Sequence, residues 1–400
     1  MPVPPPSDDV VLLDPPDRVE AQRTARGIAF AVAPPGGLTE LQRVLLEALY
    51  AAMTGHRVDL GNVEPTTPAD FAHLLKRRTV AFRTRGVQVM LLCALVLRPL
   101  PPEVADRIAA FAAELGVDDG MIDVAQRLAT GSYGLAALDF ERNGYTASWH
   151  SEDAHELHTS SELGAAWDQA VDDPGLAARW DALGALPDGT LGRGVWELYR
   201  ARGFSFPGRP GSAPPLLAQH DWVHVLADYG TTVESELEVF GLIARANDDM
   251  RAFSLLAMVI SLFETGYLRS GAGLFQSSPG HLSANHPLSA RLADAMRRGA
   301  LCRDTGQHSD SVDFLRMDWF SIADLPLEDA RRRFRLSAKS PEAIAAGSVG
   351  PWQPGGISPF QLDAGQRAAA LDGRPYDSYG ARPAVEADSH DTSSQEDREP

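Results

Sequence analysis

The apolar positions of this chain recur at helical spacing. Leu41, Val44, Leu45, Ala48, Leu49 and Ala52 fall on one helical face, with Thr39 and Gln42 at capping-box spacing ahead of it and Gly55 suited to a stop. Thr67-Pro68 opens a second helix with Phe71, Leu74 and Leu75 inward. The run GVQVMLLCALVL (86 to 97) predicts a third. Pro102 starts a fourth, carrying Val104, Ile108, Phe111 and Leu115, and a fifth begins near Asp118 or Asp119 with Met121, Val124 and Leu128. No stretch shows the period-2 alternation of a half-buried strand. Residues 27 to 145 therefore read as a small all-helical domain.

The second half is helical again. WELYRARGF (196 to 204) has helical spacing, and FPGRPGSAPP breaks it. Helices are expected around 232 to 246, through the apolar run 252 to 263, from Pro287 through Met296, and over 327 to 336. The expected fold class is all-α, with two helical domains at 27 to 145 and 181 to 338. A polar linker, 146 to 180, joins them. A loose Pro-, Asp- and Arg-rich arm, 1 to 26, precedes them, and a disordered acidic tail, 339 to 400, follows.

Composition narrows the function. A formal charge of -18 argues against a nucleic-acid groove, which needs clustered Lys and Arg. It argues equally against electrostatic docking on an anionic membrane. The two cysteines, Cys93 and Cys302, have no neighbours at metal-ligand spacing, so neither a disulfide framework nor a cysteine zinc site is expected. The longest apolar runs are short of the roughly 20 residues of a spanning helix, and the N-terminus lacks the pattern of a secretory signal. A cytoplasmic protein is expected.

The stretch QHDWVHVLADYGTTVESE (219 to 236) departs from plain packing. Pro214-Pro215 suits a helix entry. In a helix over 216 to 228, His220 and His224 are i and i+4 on one face, with Asp221 about 100° round. Tyr229-Gly230 can end it. Thr231 and Glu234 have capping-box spacing for the next helix, which leaves Glu236 free to point back at the histidines. Two imidazoles and two carboxylates suit a divalent cation. Zinc takes such ligands at about 2.0–2.2 Å, and manganese or iron fits the same set.

These residues have the form H-D-x-x-H-x(11)-E, which resembles the signature of the Coq4 family of ubiquinone-biosynthesis proteins. Three further segments resemble that family in order: PDGTLGRGVWELYRARGF (187 to 204), AMRRGALCRDTG (295 to 306) and DWFSIADLPLEDARRRFRL (318 to 336). The likeness covers about residues 180 to 338. It implies an all-helical fold, and a metal held by His220, Asp221, His224 and Glu236, which would also carry the chemistry. It further implies a hydrophobic groove for a prenylated quinone precursor or other isoprenoid lipid. The family is linked to loss of the ring carboxyl of a polyprenyl benzoate with hydroxylation at the same carbon. It is also linked to organising the other quinone-biosynthesis enzymes at the membrane. A homodimer and a peripheral position on the inner face of the plasma membrane are compatible with this. The N-terminal domain loosely resembles TerB-like helical domains in pattern, and no chemistry is assigned to it.

Two rival readings stand beside this one. The His-Asp doublet also marks HD-type metal-dependent phosphohydrolases, for which His150, His155 and His158 offer upstream ligands and Asp248 and Asp249 downstream ones. Alternatively the chain is a non-catalytic prenyl-lipid scaffold whose metal is a structural staple. Arg331, Arg332 and Arg333 read as a solvated helix face, Glu264 as a helix-end carboxylate, and His281, His286 and His308 as loop residues.

Overall fold

A computed structural model describes residues 16–61, 63, 65–130, 172–247, 252–260, 282 and 287–384. The fold is all-α. Its described residues form helices, turns and three isolated bridges, with no strand among them. No helix among the described residues is long and apolar enough to cross a membrane.

The first helical set comprises α1 (Arg18–Val32), α2 (Glu40–Thr54), α3 (Pro68–Leu74), α4 (Val80–Leu95), α5 (Pro102–Leu115) and α6 (Met121–Ala129). The expected start signals operate. Thr39 and Gln42 form a reciprocal capping box, Gly55 closes α2 in the left-handed region, and Thr67 caps α3 ahead of Pro68. Gln42 does more than cap: its side-chain amide donates to the Val32 and Cys93 carbonyls at 2.9 Å each, tying α2 to the ends of α1 and α4. The expected loose arm over 1 to 26 is corrected from Arg18 onward. Asp17 caps α1, and Ala21, Ala25, Ile28, Ala29 and Val32 make its buried stripe. Small alanines carry that stripe, so composition alone hides it.

The second set comprises α7 (Pro174–Ala182), α8 (Leu191–Arg202), α9 (Pro215–Ala218), α10 (Asp221–Ala227), α11 (Val233–Ala246), α12 (Phe253–Ile260), α13 (Leu288–Leu301) and α14 (Leu327–Arg333). Helix α7 replaces the end of the expected linker. Asp173 caps it at 2.9 Å, and Trp180 seats against Tyr199 and Trp222, with ring centroids 5.1 and 5.6 Å apart. Helix α13 packs along both α11 and α2, and α12 meets α4, so the two sets share one continuous buried core.

The expected disordered tail is corrected for residues 339 to 384. Ser340 caps α15 (Pro341–Ala345), and a Ser358–Gln361 capping box opens α16 (Pro359–Leu371). Helix α16 lies on α8 through small residues, and a side chain at Gly365 would run into the Ala201 carbonyl. The segment is held by a fully buried guanidinium. Arg202 donates to the Pro351 and Gly356 carbonyls at 2.9 Å each and to Thr231 Oγ1 at 2.6 Å. Acidic, glycine-bearing sequence folds here because polar contacts with the rest of the chain replace a large apolar face.

Candidate metal centre

The helix expected over 216 to 228 forms as two pieces, α9 and α10, joined by a turn at Gln219 and His220. The Gln219 amide donates to the Leu315 and Met317 carbonyls at 3.2 and 3.1 Å, which draws the chain aside. His220 nevertheless keeps right-handed helical dihedrals, so it and His224 still share a face. Asp228, in the left-handed region, ends α10 just before Tyr229-Gly230. The expected Thr231–Glu234 capping box does not form. Thr232 is the residue ahead of α11, because Thr231 Oγ1 is taken by Arg202 and by Gln361 Oε1 at 2.7 Å. Glu236 therefore lies in the first turn of α11, where the helix dipole favours a carboxylate.

All four predicted residues converge. Glu236 spans the pair: its Oε2 lies 3.2 Å from His220 Nε2 and its Oε1 lies 3.3 Å from His224 Nε2. Asp221 Oδ1 lies 3.5 Å from His220 Nε2. Candidate ligand atoms of His220, Asp221 and His224 lie within 4.8 Å of one another. The group is buried, with side-chain exposures of 0% for His224, 3% for Glu236, 8% for Asp221 and 11% for His220.

The surrounding hydrogen bonds fix the tautomers. His224 Nδ1 is 2.7 Å from the Gly230 carbonyl, and His220 Nδ1 meets the Leu217 carbonyl. A carbonyl only accepts, so each Nδ1 carries a proton and each Nε2 can present a lone pair. Both lone pairs then face the oxygens of one carboxylate. Acceptor against acceptor is stable only with a proton or a cation between them. The His224 approach to Glu236 lies off the hydrogen-bond axis, leaving His224 Nε2 as a buried nitrogen without a hydrogen-bond partner. Two carboxylates and two neutral imidazoles also carry a charge that one divalent cation cancels. On geometry, donor chemistry and charge, these residues fit a metal ion.

Without a cation the charges adjust around protons. Burial pulls the His220 imidazolium down, but the Asp221 charge and the hydrogen bond to Glu236 outweigh it and raise His220 to about 9. Burial raises Glu236, yet its two histidine neighbours, His224 and His220, hold it well below the usual carboxylate range. Asp221 moves up, because burial outweighs its two histidine neighbours.

Sequence reasoning missed three parts of the site. The Tyr199 hydroxyl donates to Asp221 Oδ2 at 2.5 Å, and burial pushes this phenol well above its ordinary value. A signal was available, since Tyr199 shares a buried face of α8 with Val195 and Leu198, and a buried phenol needs a partner. The Leu217 and Gly230 carbonyls leave no mark in the sequence. Gly230 is itself pinned from the C-terminal segment, its N–H donating to the Val349 carbonyl at 2.9 Å, and a Cβ on it would lie 2.7 Å from Gly356 Cα.

Other candidates divide. His150, His155, His158, Asp248, Asp249, Glu264, His281 and His286 lie outside the described residues. His308 is an exposed turn residue, as expected. The arginine run is not a uniformly solvated face. Arg331 Nε donates to the Leu226 carbonyl at 2.9 Å, where it satisfies the end of α10, and Arg333 pairs with Asp304 at 3.0 Å. Arg332 stays exposed beside Asp329. Cys93 and Cys302 are buried free thiols. Comparison of the chain with family models, with curated proteins and with solved structures finds no match in any of the three.

Proposed function

We propose that His220, Asp221, His224 and Glu236 hold one divalent cation, zinc in the first place, and that the chain acts as a Coq4-like protein on a prenylated aromatic acid. Manganese and iron suit the same donors. The observation that supports the metal is the pair of buried Nε2 atoms turned on one carboxylate with both Nδ1 atoms already committed. The choice of substrate rests on the sequence likeness. When bound, the cation supplies a Lewis acid for a substrate carboxylate or phenolate and stabilises the charge that develops as carbon dioxide leaves.

The chain's own residues have separate tasks in this reading. The Leu217 and Gly230 carbonyls orient the imidazoles. Asp221 and Glu236 supply the two negative charges. Phe240, whose ring centroid is 5.0 Å from that of His220, gives the site an apolar wall. His220 is the least buried of the four, so its edge is the side from which a substrate oxygen arrives.

Metal-loaded protein incubated with a carboxyl-labelled prenyl hydroxybenzoate tests this. Labelled carbon dioxide from the wild type, absent from a folded His224→Ala variant, is the expected result. Binding without turnover would favour the scaffold reading, in which the chain holds the lipid for other quinone-biosynthesis enzymes. Neither binding nor turnover would remove the prenylated substrate from the account.

A further inference from the structure

We infer that Tyr199 is a positioning residue that keeps Asp221 a one-oxygen ligand and so preserves an open place at the metal centre. The inference rests on the metal reading above and deepens it. Asp221 divides its oxygens between two directions: Oδ1 faces His220 Nε2 at 3.5 Å, and Oδ2 accepts from the Tyr199 hydroxyl at 2.5 Å. An oxygen engaged by so short a bond from a phenol is turned away from the cation. The Glu236 oxygens are likewise divided, one toward each imidazole. The protein then offers one donor atom from each of His220, His224 and Asp221, together with the Glu236 carboxylate.

Packing does not explain the hydroxyl. The Tyr199 ring is already enclosed by Trp180, Phe204 and Phe206, at centroid distances of 5.1, 5.6 and 5.6 Å. Phenylalanine would fill that aromatic nest equally well. The hydroxyl is the part that reaches the site, and Asp221 Oδ2 is what it touches. Removing it frees Oδ2 to swing toward the cation and chelate, which would close the position a substrate oxygen needs.

Cobalt(II) titrated into the full-length, metal-stripped chain reads this directly, because cobalt absorption weakens and shifts as coordination number rises. The variants are Tyr199→Phe and, as a packing control, Phe206→Leu, each checked by circular dichroism. In Tyr199→Phe the visible bands are expected to lose intensity, and cobalt affinity to fall by about 10- to 100-fold as for other lost outer-shell bonds. Phe206→Leu should keep the wild-type spectrum. An unchanged spectrum in a folded Tyr199→Phe would overturn the inference while leaving the metal site intact, even if affinity fell. A spectrum altered equally by Phe206→Leu would overturn it as well, by assigning the effect to packing. A wild type that takes up no cobalt would overturn both the inference and the reading beneath it.

Discussion

A chain ending after Lys339 is expected to lose cooperative folding of its second helical set. The cut removes the Pro351 and Gly356 carbonyls from Arg202 and Gln361 from Thr231. Arg202 is fully buried beneath this segment, and each hydrogen bond it gives to those carbonyls contributes about 1.5–3 kcal/mol that water does not return. The cut also uncovers the face of α8 on which α16 lies and removes the buried Ile357 and Ala369. Together these approach the whole stability of an ordinary domain, about 5–15 kcal/mol. Thermal melts by circular dichroism check it, with a chain ending after Ala384 as the control that retains all these contacts. The expectation is a midpoint lowered by more than about 10 °C, or no cooperative transition, for the shorter chain alone. Matching melts would show that the C-terminal segment adds nothing to the fold.

The second large effect is the pH dependence of metal binding. With no cation bound, His220 is raised to about 9, so at neutral pH its Nε2 holds a proton that a metal must displace. Below that value the apparent affinity should fall about tenfold per pH unit, or roughly 100-fold between pH 9 and pH 7. Calorimetric titration in two buffers of different ionisation enthalpy would give about one proton released per metal at pH 7. The sign for stability follows from the same shift. A histidine whose folded value lies above its unfolded one stabilises fully below about 6.5, and that contribution is lost as pH rises through 9. The metal-free chain should therefore be easier to unfold at pH 9.5 than at pH 6. Flat metal affinity across this range would mean that His220 is neutral, and that the proton between it and Glu236 is absent.

Much of this arrangement is legible in the sequence, for reasons that are local. A capping box, a Thr-Pro start and a terminal glycine act within one turn, so the starts of α2, α3 and α5 and the end of α2 follow from their own residues. The site is legible for the same reason. An i,i+4 histidine pair on one helical face and a carboxylate early in the next helix need only a short connection to meet. What sequence reading missed depends on distant partners. Thr231 has the right spacing to cap α11, but Arg202 and Gln361 reach it from far along the chain. Helix α1 and the segment from 339 to 384 pack through alanine, glycine and polar ties, which composition reads as loose chain. The break at Gln219 follows from two carbonyls nearly a hundred residues downstream.

The most direct test of the metal centre is elemental analysis of freshly purified wild type, His224→Ala and Glu236→Ala, with circular dichroism on each. About one divalent metal per chain in the wild type, lost from both variants while their helical signal persists, is the predicted result. A wild type that carries no metal and takes none up on titration would contradict the account, and the four residues would then be a buried charge network closed by the proton on His220.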